Sequence, residues 1–318
     1  MNLSHGDNHL WLIGDPHFGR NFTTGMPLHR RGDREAMQRQ LFIHELEYRE
    51  ANTIVMVGDL FDKPFIPFPI LTQVVQDVKT AAMFRDDVDF IFMAGNHDRS
   101  RQLDQLGAWD VFQMATSWID NVHVLNEPAI INGIAYFPWQ WDVSAVDQVR
   151  NLDQKDAYKV AVGHWDLKDF GGDASHVCPV AEFNNDVELY SGHYHEEGDY
   201  EVSGVTIHCT GSLQPYAHGE GDMYVTLTLA EALAQDPADL YDKCVRVALA
   251  PGEVTPDIDC LQLTTIRIDD GGEITEIDLD AIGAQAFNLN ATLAGEFAEH
   301  DVPDPVQDFI KENLSAAD

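Results

Sequence analysis

Val88-Asp89-Phe90-Ile91-Phe92-Met93-Ala94-Gly95-Asn96-His97-Asp98 joins a run of bulky apolar residues to four that turn the chain, bind metals or exchange protons. The apolar run is too short for a helix and rich in β-favouring side chains, so it reads as a buried strand. In layered α/β folds, polar residues just past such a strand line the edge where ligands bind. Four further segments repeat the arrangement. Asp15-Pro16-His17 follows an apolar run at 9–14, and Gly58-Asp59-Leu60-Phe61-Asp62 follows one at 53–57. Gly163-His164 follows 159–162, and Gly192-His193-Tyr194-His195 follows 187–190. Glycine at these junctions lets the backbone turn sharply. Five strand ends thus bring carboxylates, imidazoles and an amide to one edge, enough to hold two divalent cations. Carboxylate oxygens combined with imidazole nitrogens suit Mn²⁺, Fe or Zn²⁺ better than Ca²⁺.

Helical patterns at 34–50, 70–84 and 103–118 separate the strands, and this alternation predicts an α/β fold. Leu41, Ile43, Leu46 and Tyr48 give the first helix a partly apolar face. Asn132-Gly133 and Ser203-Gly204 each sit between short apolar runs and predict hairpins. A strand at 222–229 closes this region. The polar stretch 230–242, with Asp236-Pro237, marks a boundary between a ligand-bearing domain at 1–235 and a small module at 236–318. That module is read as α+β, with strands at 244–250 and 260–268, helices at 291–299 and 305–314, and no ligand cluster.

The formal charge of −35 on 318 residues opposes phosphate backbones, and residues 219–318 hold 22 acidic side chains against four basic ones. Positive charge is concentrated elsewhere. Arg20, Arg30, Arg31, Arg34 and Arg39 face only Asp33 and Glu35 within 20–44, and Arg99 and Arg101 follow Asn96-His97-Asp98. These arginines either line the site or pair with acids on solvated helices. The aromatic stretches 61–68 and 137–141 either pack or offer a surface for stacking bases. Asp62 either orients the loop of Asp59 or caps a turn. His5, His9, His29, His44, His123, His176, His218 and His300 lack ligand spacing and are read as surface or hydrogen-bonded residues. Cys178, Cys209, Cys244 and Cys260 are scattered and read as buried thiols, not as disulfides or a zinc site. No apolar stretch approaches the roughly 20 residues of a membrane helix, and the N-terminus lacks the features of a secretory signal. A cytoplasmic protein without membrane contact is expected.

In order and completeness the five segments resemble the calcineurin-like metallophosphoesterase superfamily. The resemblance implies a layered β-sandwich flanked by helices. It implies that Asp15, His17, Asp59 and His195 bind one metal, and that Asp59 bridges to a second held by Asn96, His164 and His193. It further implies that His97 stabilises or protonates the transition state while Asp98 orients its ring. Gly58-Asp59-Leu60-Phe61-Asp62-Lys63-Pro64 and the stretch from Gly211-Ser212-Leu213-Gln214-Pro215 to Gly219-Glu220 resemble the SbcD-type DNA nucleases. Phe137-Pro138-Trp139 and Gly163-His164-Trp165-Asp166-Leu167 are most similar to the nuclease subunit of phage recombination endonucleases. That branch implies exonuclease and endonuclease activity on double-stranded DNA ends and single strands, with Mn²⁺ as cofactor and Fe, Zn²⁺ or Mg²⁺ as alternatives. It also implies a homodimer, an SbcC-like coiled-coil ATPase partner, and a capping role for 236–318. The acidic surface keeps a phosphatase or nucleotide phosphodiesterase as the alternative.

Overall fold

A computed structural model describes residues 1–268 except 103, 153–156, 168–173 and 219. Strands β1 (Asn2–His5), β2 (Asn8–Ile13), β3 (Thr53–Met56), β4 (Asp89–Met93) and β5 (Val122–Leu125) form one sheet in that order. The β1–β2 pair is antiparallel and the other three pairs are parallel. A second sheet contains β6 (Ala129–Ile131), β7 (Ile134–Phe137), β8 (Val160–Gly163), β9 (Glu188–Ser191), β10 (Glu197–Val202) and β11 (Val205–Thr210), in the order β10-β11-β9-β8-β7-β6. The β7–β8–β9–β11 run is parallel.

Period-2 alternation sorts the strand residues between two cores. Leu10, Leu12, Val55, Val57, Ile91 and Met93 of the first sheet pack against Ile134, Tyr136, Val160, Val162 and Tyr190 of the second. Their neighbours Ile54, Met56, Phe90 and Phe92 face the opposite way, onto α1 (Asp33–Tyr48), α2 (Phe68–Phe84) and α3 (Ala108–Thr116). Ala135, Phe137, Ala161 and Leu189 likewise meet α4 (Ala145–Asn151) on the outer face of the second sheet. Two sheets packed face to face, each covered by helices, give the α/β sandwich expected from the sequence. The central parallel strands β3, β4, β7 and β8 therefore have both faces buried, which explains their continuous apolar runs.

Both expected hairpins form. Ile131 pairs with Ile134 across Asn132 (φ 52°) and Gly133 (φ 76°), and Val202 pairs with Val205 across Ser203 (φ 51°) and Gly204 (φ 79°). Two left-handed residues in succession match the twist of the flanking strands. β1, β5 and α4 were not anticipated, since they are short and carry weak patterns.

α1 buries a different face from the expected one. Leu41 and Tyr48 are exposed, while Arg34, Gln38, Phe42, Glu45 and Leu46 are buried. The helix packs on loops whose backbone carbonyls need donors, so its inner face is largely polar. Gln38 Nε2 donates to the Pro16 carbonyl, and Arg34 donates to the Pro215 carbonyl (2.6 Å) and the Tyr224 hydroxyl (2.5 Å).

A third sheet, β12 (Tyr224–Thr228), β13 (Cys244–Leu249) and β14 (Gln262–Arg267), follows, with α5 (Leu229–Ala234) and α6 (Pro237–Leu240) between β12 and β13. The expected boundary at 235/236 falls inside this unit, because β12 pairs with β13 across it. Cys244 and Leu261 also pack with Phe22, Met26 and Tyr216. One compact unit accordingly comprises Met1–Leu249 and Glu253–Ile266, and a second comprises Ala250–Gly252 and Arg267–Asp318. The expected helices at 291–299 and 305–314 lie outside the described residues. Among the described residues no helix is long and apolar enough to cross a membrane.

Arg34 is buried without a carboxylate partner and joins α1 to the 211–220 loop and β12. Replacing Arg34 with Met is expected to lower stability by about 2–3 kcal/mol, since its acceptors lose charge-assisted hydrogen bonds. Denaturant unfolding of both proteins measures this, and an unchanged midpoint would refute the assignment.

Candidate metal centre

Each expected ligand lies just past the C-terminal end of a central strand. β2 delivers Asp15 and His17, β3 delivers Asp59, β4 delivers Asn96, β8 delivers His164, and β9 delivers His193 and His195. The two sheets thus contribute from facing sides. Ladder-like hydrogen bonds continue past β2 and β3, from His17 N to Asp59 O (2.9 Å), Phe18 N to Leu60 O (2.9 Å) and Asp62 N to Phe18 O (2.9 Å). They lock the first two ligand loops together.

The backbone at these turns is strained. His17 (φ 51°), Asp59 (φ 48°) and His193 (φ 72°) all occupy the left-handed region, where non-glycine residues cost roughly 1–3 kcal/mol each. Such strain persists only where the surroundings enforce it, and it clusters at functional sites. Gly58 (φ 111°) is needed twice over. Its dihedral is unfavourable for other residues, and a Cβ there would collide with the His164 ring.

The side chains form two adjoining groups. Asp15, His17 and His195 place ligand atoms within 4.8 Å of one another, and so do Asp59, His164 and His193. His17 Nε2 lies 3.1 Å from His195 Nε2, and Asp15 Oδ2 lies 3.7 Å from His195 Nε2. In the second group Asn96 Oδ1 lies 3.0 Å from both His164 Nε2 and His193 Nδ1. Asp59 Oδ2 sits between the groups, 3.7 Å from His17 Nε2 and 3.5 Å from His164 Nε2. That position suits a bridging ligand.

Hydrogen bonds on the far sides of the rings set which nitrogen is free. His164 Nδ1 donates to the Val57 carbonyl (2.8 Å), so Nε2 is the nitrogen turned toward Asn96 and Asp59 and is the one a cation would use once the ring is neutral. His193 Nε2 donates to Asp166 Oδ1 (2.8 Å), so Nδ1 keeps its lone pair toward Asn96. Metal-binding histidines are commonly oriented in this way. His195 Nδ1 lies 3.7 Å from Glu220 Oε1, while Glu220 Oε2 accepts the backbone N–H of Tyr216 (2.6 Å) and Ala217 (3.2 Å).

Whether cations fit can be judged from what the protein leaves unmet. Both Asp15 carboxylate oxygens are fully buried without a hydrogen-bond partner. Buried carboxylates are otherwise paired, hydrogen-bonded or bound to metals. Asn96 Oδ1 faces one ring nitrogen each of His164 and His193, whose far-side nitrogens are already committed, an arrangement that a cation would satisfy with both rings neutral. Electrostatics agree. Burial, followed by the Asp59 charge, pushes Asp15 up to about 8. Burial also raises Asp59, but the His164 charge and hydrogen bond, with His17 and His97, outweigh it and hold Asp59 well below the usual range. Burial drives His17 down to about 3. For His164, burial is outweighed by Asp59, and the ring is raised. The donor set therefore fits a pair of divalent cations.

The Calcineurin-like phosphoesterase family matches residues 9–197, a span that contains all seven expected ligands. The chain belongs to this family. No curated protein matches it. Among solved structures the Pseudomonas putida nuclease MPE is similar, with a TM-score of 0.35 and 11% identity over 69% of this chain and 89% of that one.

Two expected roles change in this phosphoesterase. Asp98 does not hold the His97 ring. Its carboxylate is fully buried and accepts backbone N–H groups from Gly95 (2.8 Å), Phe61 (2.8 Å) and Leu60 (3.3 Å), so it ties the Asp59 loop to the Asn96 loop. Burial and then Asp59 raise Asp98 well above the usual carboxyl range, although the Gly95 and Phe61 amides pull the other way. His97 is positioned instead by its Nδ1 donating to the Asp62 carbonyl (2.7 Å) and by its backbone N–H donating to Asp59 Oδ1 (2.8 Å). Asp62 therefore acts on this loop through its backbone, while its carboxylate lies 3.8 Å from His17 Nδ1. The ring of His97 is exposed, unlike those of His17 and His164.

Sequence reasoning did not single out Asp166, Tyr216 or Glu220 as site residues. Asp166 stands two residues after His164, a spacing that signals a shared loop. The Tyr216 ring packs on His17 (5.3 Å) and His195 (5.4 Å), and nothing local in the sequence marks it. Trp139 forms the opposite wall. It is stacked on His176 (3.9 Å) and tilted against His193 (5.6 Å), so the 137–141 stretch both packs and borders the candidate site.

Removing the Asp166 carboxylate should leave His193 free to change tautomer. Asp166→Asn is expected to weaken binding of the second cation about 10–100-fold in calorimetric metal titration, and equal affinities would count against this role. Stability should also respond to pH in the metal-free protein. Asp15, Asp98 and His164 are all raised in the folded state, so between pH 6.5 and 8 each holds its proton more tightly folded than unfolded. Stability must therefore fall as pH rises across that window. Chelator-treated protein is expected to lose several degrees of Tm from pH 6.5 to 8, with the loss reversed by Mn²⁺ and reduced in Asp15→Asn. A flat profile without metal would exclude this account.

Proposed function

We propose that the protein is a two-metal DNA nuclease that hydrolyses phosphodiester bonds in recombination and repair, with Mn²⁺ as its cofactor. The observation that carries this reading is the distribution of unpaired positive charge. Arg30 is taken up by Asp33 (2.6 Å), Asp242 (3.2 Å) and the Tyr241 carbonyl (2.9 Å). Arg34 is internal, and Arg39 forms a two-pronged pair with Asp77 (2.7 Å for each bond). Arg20, Arg99 and Arg101 form no ion pair among the described residues. Arg20 lies over the Tyr216 ring (4.7 Å) on one side of the ligands. On the other side Arg101 lies over Trp141 (4.5 Å), whose Nε1 donates to the Arg99 carbonyl and whose ring abuts Trp139. In a chain of charge −35, cations and aromatic rings flanking both sides of the ligand cluster support an extended polyanion as substrate.

Bound divalent cations would supply Lewis acidity and a strong oxygen nucleophile near neutral pH. Asp15, His17 and His195 would hold one cation, Asn96, His164 and His193 the other, and Asp59 both. His97 keeps Nε2 available because Nδ1 is committed to Asp62. When protonated, it can donate to the departing oxygen. Asp98 maintains the spacing between the loops that carry Asp59 and His97.

The sequence resemblance further supports a homodimer working with an SbcC-like coiled-coil ATPase on DNA ends. Phe65, Phe68, Leu106, Met114 and Trp118 on and beside α2 and α3 are more than half exposed, which gives a dimer an apolar face to cover. A small-molecule or phosphoprotein phosphatase remains the second reading, favoured by the acidic surface.

Purified protein with Mn²⁺ is expected to shorten end-labelled duplex DNA. His97→Ala should lower kcat about 10²–10⁴-fold with metal content unchanged. Combined Ala substitution of Arg20, Arg99 and Arg101 should weaken DNA binding and flatten its salt dependence by roughly one unit of slope per lost phosphate contact. Efficient hydrolysis of phosphomonoesters with intact DNA would overturn the nuclease reading in favour of the second.

A further inference from the structure

Beside the third sheet lies a cavity of about 250 Å³ that the metal centre does not use, lined by Tyr216, His218, Tyr224, Cys244, Arg246, Gln262 and Thr264, among others. Tyr216 is shared, since the same residue packs on His17 and His195. Tyr224 is fixed by Arg34 and by donating to the Tyr216 carbonyl (3.0 Å), so this wall is rigidly built.

Its polar groups are unusual for this chain. Arg246 projects from β13 and pairs with no carboxylate among the described residues, although acids greatly outnumber bases in the sequence. Gln262 donates its Nε2 to the Thr24 carbonyl (2.7 Å), which leaves a buried Oε1 with no hydrogen-bond partner. His218 is packed on Tyr224 (4.8 Å), with its Nδ1 3.3 Å from Thr226 Oγ1. Burial and then the Arg246 charge hold His218 down to about 4, so at neutral pH the imidazole is uncharged and Arg246 supplies the positive charge. A cation and a neutral ring beside an unmet acceptor match an anion that also carries a hydroxyl or amino donor. The volume falls below the 300–1,000 Å³ of pockets that hold drug-sized ligands, which restricts the occupant to one small unit. Arginine is well suited to phosphate because its planar fork donates two parallel hydrogen bonds.

We propose that this cavity is a phosphate-recognising subsite for a single nucleotide unit, separate from the metals and joined to them through Tyr216. The occupant is either a free nucleoside monophosphate or one nucleotide of a bound strand, both of which present the same chemistry. Only the second source rests on the nuclease reading.

The test uses the full chain freed of metal by chelation, so that the metal centre does not hold phosphate. Calorimetric titration with deoxyadenosine monophosphate is expected to show saturable one-to-one binding. Arg246→Gln should weaken it at least tenfold, and Thr264→Glu should abolish it by placing a negative charge in the wall. Asp15→Asn should bind normally. Thermal unfolding of each variant checks folding, and two wall variants of different chemistry guard against one failing to fold. No saturable binding, equal binding by both folded wall variants, or loss of binding in Asp15→Asn would each overturn the proposal. The source is then read from the Mn²⁺-loaded enzyme. If Arg246→Gln raises KM for duplex DNA at least threefold but leaves KM for bis(p-nitrophenyl) phosphate unchanged, the occupant is a strand nucleotide. If both KM values are unchanged while monophosphate binding is lost, the occupant is the free nucleotide. Should the protein cut no DNA at all, the titration still decides the subsite by itself.

Discussion

Two buried carboxylates, Asp15 and Asp59, lie close enough for the charge of one to act on the other, and the surrounding structure is organised around that arrangement. Placing like charges together away from water is strongly unfavourable unless positive charge or hydrogen bonds offset it. The protein offsets it for Asp59, through the His97 backbone amide and the neighbouring His164. It leaves the Asp15 carboxylate without a hydrogen-bond partner. A fold that buries a carboxylate and gives it no partner is built to receive a cation.

That requirement explains features otherwise unrelated. His17, Asp59 and His193 bend into left-handed backbone to aim their side chains inward. Holding three such residues requires rigid neighbours, and the structure provides them through backbone hydrogen bonds between loops. Asp98 is the clearest case, because three amides from two loops converge on its carboxylate. The sandwich supplies the remaining rigidity. Asp15, His17, Asp59 and Asn96 come from one sheet and His164, His193 and His195 from the other, so each ligand group spans both sheets and its internal spacing is set by the apolar layer between them. Interiors of that kind are close-packed and resist deformation.

Charge is allocated in the same spirit. The arginines that looked like one basic cluster in the sequence divide by environment. Arg30, Arg34 and Arg39 are absorbed by acids and carbonyls of α1 and its neighbours, whereas Arg20, Arg99 and Arg101 flank the ligands. The third sheet contributes Arg246 beside the cavity behind Tyr216. Although the chain as a whole is strongly acidic, Arg20, Arg99, Arg101 and Arg246 have no carboxylate partner among the described residues and lie beside the candidate ligands or the neighbouring cavity.

The sequence by itself determined the alternation of strands and helices and the polar segments that follow the strands. Both are encoded locally, since a strand is an apolar run of fixed period and a ligand is a polar residue at a fixed step beyond it. The placing of Asp15, His17, Asp59, Asn96, His164, His193 and His195 past strand ends was legible for that reason, as were the hairpins at Asn132-Gly133 and Ser203-Gly204, whereas their roles as metal ligands were implied only by the family resemblance. Only the tertiary structure decided which residues serve those ligands. Asp62 positions His97 through a main-chain carbonyl, which no side-chain pattern reveals. Asp98 looked like the partner of its sequence neighbour, but its carboxylate serves amides across the site, because consecutive residues after a strand point in different directions. Glu220 and Tyr216 reach the ligands from a loop far along the chain, and β13 joins the main unit although a polar stretch precedes it. Each of these depends on contacts between distant segments, and such contacts exist only once the two sheets and α1 have packed.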